Sequence, residues 1–139
     1  MREVVPRRWL ATPLIGSLMA VGPALAQDIK LTRTVGSGVE ALIAHERSWD
    51  RECQPRPSRV TITAPPANGT AWVAHGASTI PESTPRSGSS GPCAGKPITG
   101  NQVMYRSNAG FRGTDTVSYG VWYGAGQGGG STTITITVR

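Results

Sequence analysis

Apolar and polar residues alternate in several short segments of the chain, and turn-forming residues separate these segments. Such a period-two pattern places successive side chains on opposite faces of an extended chain and is typical of half-buried β-strands. Threonine, valine, isoleucine and tyrosine dominate the segments, as strands prefer. The pattern predicts strands at residues 29–35, 59–63, 70–73, 102–107, 115–123 and 131–139. We therefore expect an all-β protein.

The segment APPANGT, residues 64–70, lies between two of these strands and predicts a β-hairpin. Its Asn68-Gly69 pair is a strong hairpin signal because both residues tolerate a positive φ. Residues 70–73 are then the return strand of the hairpin.

The segment at residues 39–49, VEALIAHERSW, fits two interpretations. A helix would place Val39, Leu42 and Ile43 at helical spacing, whereas a strand would place Val39, Ile43 and His45 on one face. We favour the strand, because the preceding Gly-Ser-Gly lacks a helix-starting turn and the neighbouring segments are β.

Residues 76–101 show no periodicity and are rich in Gly, Ser and Pro, so they predict one long loop, either functional or mobile. Cys93 lies in this loop and Cys53 lies outside it. An even number of cysteines in an exported protein favours a disulfide, and no Cys-x-x-Cys pair indicates a zinc or redox site. We expect Cys53 and Cys93 to be bonded and to pin the loop.

The N-terminus has the features of a secretory signal peptide. A positively charged start precedes an apolar stretch from Trp9 to Val21, and Ala-Leu-Ala at residues 24–26 is a cleavage site of small residues. Prolines and glycines interrupt the stretch, which disfavours a membrane span. We expect cleavage of residues 1–26, a periplasmic or extracellular location, and a single mature domain of residues 27–139 without a membrane span.

The charge of the mature chain does not indicate a nucleic-acid partner. The formal net charge falls from +6 to +4 without the leader, which holds three arginines and one glutamate. Arginines and acidic residues alternate between residues 46 and 59, whereas nucleic-acid binders concentrate basic residues on one face. We expect a solvated surface of mixed charge and no nucleic-acid partner.

About seven short strands with Gly and Pro between them predict an antiparallel β-sandwich of the immunoglobulin type. Three segments, VTITAPPANGT, VMYRSNAGFRGTDTVSYGV and TTITITVR, resemble the bacterial cadherin-like or immunoglobulin-like repeat. The likeness covers about residues 58–139 apart from the central loop, and its most specific part is GFRGTDTVSY. The resemblance implies a small structural or adhesion-type module of the cell envelope, without enzymatic activity, that binds a protein or an envelope polymer.

Phe111, Asp115 and Tyr119 lie in the most specific part of the resemblance. Asp115 stands where a loop enters a strand, and a short acidic side chain there accepts backbone N–H groups. Calcium sites need several carboxylates, and no second acid is near, so we expect neither metal nor cofactor. Phe111 and Tyr119 are expected to pack in the core, and Tyr119 could there donate the hydrogen bond of a tyrosine corner.

Trp72 and Trp122 alternate away from the expected core residues of their strands. If both are exposed, they form an aromatic partner-binding face beside the Gly-rich loop at residues 124–130. The alternatives are that each ring is covered by the loop at residues 76–101 or by another chain segment, or that homodimerisation covers both.

The sequence holds few residues for catalysis. Its histidines are His45 and His75, and it contains neither a GxSxG elbow nor an HExxH zinc motif. His45 with the nearby acidic residues could hold a metal, but an ordinary strand residue is the simpler interpretation. A small exported hydrolase with a site on the loop at residues 76–101 is the alternative function. It requires one histidine within hydrogen-bond reach of a carboxylate in a pocket.

Overall fold

A computed structural model describes residues 27–124 and 128–139. The expected signal peptide, residues 1–26, and three residues of the Gly-rich loop lie outside the described residues. Nine strands are present in the described part of the chain: β1 Gln27–Val35, β2 Ala41–Glu46, β3 Arg59–Ala64, β4 Gly69–Thr79, β5 Ser83–Thr84, β6 Gly88–Ser89, β7 Pro97–Ser107, β8 Gly113–Trp122 and β9 Gly129–Val138. Among these residues, no helix is long and apolar enough to cross a membrane.

Seven of the strands form two sheets. Sheet I has the order β1-β9-β8-β3, and sheet II has the order β2-β7-β4. Neighbours are antiparallel except β1 and β9, which are parallel. Alternate side chains of both sheets meet in one apolar core, whose fully buried members include Val103 and Tyr105 from sheet II and Val117 and Ile134 from sheet I. The prediction of an all-β sandwich is confirmed at this level.

The segment at residues 39–49 contains strand β2, so the strand interpretation is confirmed and the helix is wrong. Its faces nevertheless differ from simple alternation. A β-bulge between Leu42 and Ala44 adds Ile43 to the strand without a partner on β7, and both Ile43 and Ala44 are buried. A one-residue insertion reverses the faces beyond it. Consequently Glu46, rather than His45, lies on the inner face.

The predicted hairpin at Asn68-Gly69 is wrong. Strand β3 belongs to sheet I and β4 to sheet II, so residues 65–68 cross between the sheets. Neither Asn68 nor Gly69 has a positive φ. Gly69 is needed for another reason: a Cβ there would lie 2.4 Å from the carbonyl oxygen of Arg106 on β7, which only glycine avoids.

The predicted loop at residues 76–101 is shorter than expected. Strand β4 continues to Thr79 and β7 begins at Pro97, with an unbroken register between them. The excursion therefore spans residues 80–96 and contains the hairpin β5–β6 and a short 3-10 helix, Gly91–Cys93. The end of β4 and the start of β7 consist mainly of small and polar residues. Because few apolar residues alternate there, the periodicity of the sequence does not indicate a strand.

The predicted disulfide between Cys53 and Cys93 is confirmed. Both cysteines are buried in a second, smaller apolar cluster with Ile80 and Ile98, against which Trp49 packs. The disulfide thus fixes the excursion to the segment that follows β2. This smaller core lies at the base of the excursion that carries the hairpin β5–β6.

Candidate functional site

A cleft of about 690 Å³ lies at one edge of the sandwich. Strand β1, at the edge of sheet I, forms one wall, and strand β2, at the edge of sheet II, forms the other. The hairpin β5–β6 and the residues around it border the cleft, and Tyr119, Tyr123 and Thr132 also contribute to its lining. We call this region the edge cleft.

Glu46 is the only carboxylate that lines the edge cleft within the described residues. The bulge in β2 turns its side chain inward, where it is 9% exposed. The Tyr119 hydroxyl donates to Oε1 at 2.6 Å, and the Tyr123 hydroxyl donates to Oε2 at 2.5 Å. A buried carboxylate is tolerated when hydrogen bonds replace its hydration, and two phenols supply them here.

The two phenols titrate abnormally because of where they lie. Burial raises the pKa of Tyr119 well above its ordinary value, and the adjacent charge of Glu46 raises it further. The same two causes raise the pKa of Tyr123. Both hydroxyls therefore keep their protons at neutral pH and remain hydrogen-bond donors to Glu46.

Three arginines line the edge cleft, and the protein holds each of them. Arg33 donates from Nε to the carbonyl of Ile43 at 2.8 Å, across the open edge of the sandwich. Arg47 donates from Nη1 to Ser78 and Thr79 of β4, and Arg86 donates from Nη2 to Thr132 and Ser131 of β9. Fixed guanidinium groups lose little freedom on meeting an anion.

Arg86 also shows how the hairpin β5–β6 is positioned. Its 2.6 Å hydrogen bond to the buried Oγ1 of Thr132 joins the hairpin to sheet I. The disulfide and the smaller core hold the base of the excursion against sheet II and the segment after β2. The hairpin consequently bridges the two sheets at the edge cleft.

Two polar atoms at the edge cleft lack hydrogen-bond partners in the described part of the chain. They are Oγ of Ser90, a residue only 8% exposed, and Nδ1 of His45. Burial lowers the pKa of His45, and the positive charge of Arg47 lowers it further, so the imidazole is neutral at pH 7. Orphaned buried polar atoms are uncommon in folded proteins, and a water or a ligand can supply the missing bond.

Asp115 lies on the inner face of β8 and does what a loop-to-strand aspartate is expected to do. Its Oδ1 accepts the backbone N–H groups of Ala67 and Thr116, and its Oδ2 accepts the N–H of Asn68 and the Tyr105 hydroxyl, all at 2.9–3.0 Å. It ties the β3–β4 crossover to β8. The edge cleft contains neither Asp115 nor Tyr105.

Phe111 packs against the main core, and Tyr119 lies within it. The tyrosine-corner hydrogen bond predicted for Tyr119 is wrong, because its hydroxyl donates to the Glu46 side chain rather than to a backbone carbonyl. The inward turn of Glu46 places a carboxylate where the phenol reaches across the sandwich. Tyr119 therefore both packs in the main core and lines the floor of the edge cleft.

The structure does not bring Trp72 and Trp122 onto one face. Trp72 is on β4 of sheet II and is half-buried, whereas Trp122 is on β8 of sheet I and is 51% exposed. The Arg59 guanidinium lies over the Trp122 ring, 5.8 Å from its centroid. A shared aromatic face is therefore wrong on geometric grounds. A partner contact through either ring alone stays a prediction.

No group of three or more His, Cys, Asp or Glu side chains suited to a metal ion occurs in residues 27–124 and 128–139. The Asp50 carboxylate instead accepts the backbone N–H groups of Glu52 and Gln54. His75 lies on β4 and is exposed, outside the edge cleft. Of the acidic residues considered for a metal site with His45, Asp50 thus serves the local turn, whereas Glu46 accepts the two phenols in the cleft.

The central residue of the cleft, Glu46, was not identified from sequence as a buried carboxylate. Simple alternation assigned the inner face to His45, and only the bulge at Leu42 and Ala44 changes this. The signal that was present is the apolar run at residues 41–44, which does not alternate and is compatible with a bulge.

Comparison of the chain with protein-family models, with curated proteins and with solved structures finds no match.

Proposed function

We propose that this chain is a non-enzymatic, exported binding module of the cell envelope with immunoglobulin-like topology, and that the edge cleft is its recognition site. One observation carries the proposal: the cleft combines three anchored arginines and a buried carboxylate with a buried Ser90 hydroxyl that has no partner within the described chain. Convergent polar groups in a preformed concavity are the usual form of a ligand site.

The strand order supports the immunoglobulin-like topology. In that fold the third, sixth and seventh strands share a sheet, and the first, second, fifth and fourth strands share the other. Counting only the seven long strands, β3, β8 and β9 pair in sheet I, and β2, β7 and β4 pair in sheet II. The first strand departs from this pattern, because it pairs with the last strand in sheet I, and the cleft lies between β1 and β2.

Export has two supports. The N-terminal sequence has the three parts of a secretory signal, and the disulfide suits an oxidising compartment. In such a compartment a stable Cys53–Cys93 bond keeps the excursion at residues 80–96 in place, and with it one border of the recognition site.

The alternative, an exported hydrolase, has one observation in its favour: His45 and Ser90 line the same cleft. Nucleophilic catalysis needs a histidine hydrogen-bonded to the nucleophile and oriented by a third group. His45 makes no hydrogen bond to a hydroxyl or a carboxylate in the described residues, which favours the binding module. If the chain hydrolysed envelope polymers and a His45→Ala variant did not, the hydrolase would become the favoured function.

The test uses two exposed apolar residues, one in β2 and one just before it. Leu42 lines the edge cleft and is 42% exposed, whereas Val39 precedes the strand, is 58% exposed and lies outside the cleft. We expect Leu42→Trp to abolish retention of envelope polymers or proteins on the immobilised chain, and Val39→Trp to preserve it. Equal retention by both variants would contradict recognition through the cleft.

A further inference from the structure

The charges around the edge cleft favour an anionic ligand. Three guanidinium groups and one carboxylate line the cleft in the described residues, so the lining is positive overall. Burial lowers the pKa of Arg47 and the nearby charge of Glu46 acts in the opposite direction, so the Arg47 charge is partly desolvated. Desolvated charges interact more strongly with a bound counter-charge than exposed ones do. The net positive lining therefore attracts a ligand anion.

Arg47 has donors to spare for such an anion. Its Nη1 is used by Ser78 and Thr79, while Nε and Nη2 make no hydrogen bond within the described residues. The planar fork of a guanidinium matches a carboxylate through two parallel hydrogen bonds. The side chain also packs along the backbone at Gly100, where any Cβ would lie 2.9 Å from its Cγ. The glycine thereby makes room for the stem of Arg47.

Glu46 limits where an anion can bind in the cleft. Its carboxylate repels a ligand anion while the guanidinium groups attract it, so the anionic group should lie on the arginine side of Glu46. Glu46 also retains acceptor capacity, because each oxygen receives one phenolic hydrogen bond and can accept another. A ligand hydroxyl beside the anionic group satisfies that capacity.

The remaining lining fits a ligand rich in hydroxyl groups on a carbon frame. The buried Oγ of Ser90 has no partner in the described structure, and a hydroxyl can serve as its donor or acceptor. The apolar side chains of Leu31 and Leu42 and the ring of Trp49 line the same cleft and can cover C–H surfaces. Hydroxyl groups, C–H faces and one carboxylate occur together in an acidic sugar.

We infer, resting on the proposed function, that the edge cleft binds a uronic-acid residue of an acidic polysaccharide, with its carboxylate at Arg47 and Arg86 and its hydroxyls at Ser90 and Glu46. The disulfide-pinned hairpin β5–β6 supplies Arg86 and is part of the site. The ligand is held by hydrogen bonds and charge alone, and no bond is made or broken.

The test is isothermal titration calorimetry of the full exported chain with trigalacturonate, and with its fully methyl-esterified form as the neutral control. We expect the acid to bind, the ester to bind at least about tenfold more weakly, and binding of the acid to weaken with added salt. Equal binding of acid and ester would overturn the inference. So would tighter binding of galactose 1-phosphate than of galacturonate, which would identify a phosphate site.

Variants locate the binding. Arg86→Gln and Arg47→Gln should each weaken trigalacturonate binding about tenfold or more, whereas Arg59→Gln, beside Trp122 and outside the cleft, should leave it unchanged. Thermal melting identifies any variant that fails to fold. In that case Arg33→Gln is measured in its place, because Arg33 also lines the cleft. Unchanged binding in folded Arg86 and Arg47 variants would contradict the assignment.

Failure of this inference differs from failure of the proposed function. If trigalacturonate does not bind, but Leu42→Trp still abolishes retention of envelope material, the cleft is a site for another ligand class. If Leu42→Trp and Val39→Trp retain the same material as the parent, recognition through the cleft is wrong, and the inference falls with it.

Discussion

The Tyr119 hydroxyl donates a 2.6 Å hydrogen bond to Glu46, and this bond joins β8 of sheet I to β2 of sheet II across the sandwich. Tyr123, just beyond the end of β8, donates to the other oxygen of the same carboxylate. Glu46 is therefore both a tie between the sheets and the floor of the edge cleft. Substitutions there test stability and recognition together.

Replacing Glu46 with alanine should lower the free energy of unfolding by about 1–3 kcal/mol, because the buried Tyr119 hydroxyl loses its acceptor. Glu46→Gln keeps an acceptor and should cost less. Glu40 is the matched control, since its ion pair with Arg106 is about half exposed and worth less than about 1 kcal/mol. Equilibrium unfolding in urea measures all three, and equal losses for Glu46→Ala and Glu40→Ala would contradict the tie.

Substitution of Asp115 should destabilise the domain more than its position beside a loop implies. Asp115→Ala removes the acceptor of three backbone N–H groups and of the buried Tyr105 hydroxyl, so we expect a loss of more than about 2 kcal/mol. Tyr105→Phe removes one of these bonds and should cost less. Chemical denaturation measures both variants. A smaller loss for Asp115→Ala than for Tyr105→Phe would show that the crossover does not depend on this carboxylate.

Calcium should not stabilise the domain through Asp115. Both oxygens of its carboxylate are already engaged by protein donors, and a calcium site requires several further oxygen ligands. A ligand that binds only the native state raises the melting temperature. Thermal melting should therefore be the same with millimolar calcium as with a chelator. A rise of several degrees that Asp115→Asn abolishes would contradict this expectation.

Strand positions were the most predictable part of the fold, because alternation reports which face is buried. Strand β9 follows its alternation completely: Thr132, Ile134, Ile136 and Val138 are buried, as period two requires. The sequence did not reveal which strands pair. Asn68-Gly69 has the composition of a tight turn, but pairing depends on contacts with β7 and β8, which are distant in sequence.

The candidate site was less predictable than the fold, for a related reason. Its polar residues come from β1, β2, the excursion and the end of β8, and only the pairing of the sheets brings them together. The single bulge in β2 decides whether Glu46 or His45 faces inward. The cysteine pair was predictable, because an exported chain with two cysteines allows a single disulfide.

Reducing the disulfide should destabilise the domain and weaken recognition. The Cys53–Cys93 bond closes a separation of 40 residues, for which the chain-entropy model gives roughly 3–4 kcal/mol. The hairpin β5–β6 depends on the smaller core around the bond, so the border of the cleft should loosen before the main core does. Hydrogen exchange of the double serine variant should show faster exchange at residues 80–96 than in β8 and β9. Uniformly faster exchange would indicate one cooperative unit.

The free energy of unfolding should depend on pH through His45. Burial, and then the charge of Arg47, hold the pKa of His45 below its ordinary 6.5 in the folded chain, whereas the unfolded chain has the ordinary value. Between these two pKa values the unfolded state binds more protons, so the free energy of unfolding falls as pH drops below about 6.5 and levels off below the folded pKa. His45→Gln removes this contribution. The stability of the parent relative to His45→Gln should consequently decline between about pH 7.5 and about pH 5.

The matched control is His75→Gln, at an exposed position of β4. Urea unfolding across this range measures the difference, and the decline should be larger for the His45 comparison than for the His75 comparison. A difference that is independent of pH at His45 would mean that its imidazole is as well solvated in the folded chain as in the unfolded one.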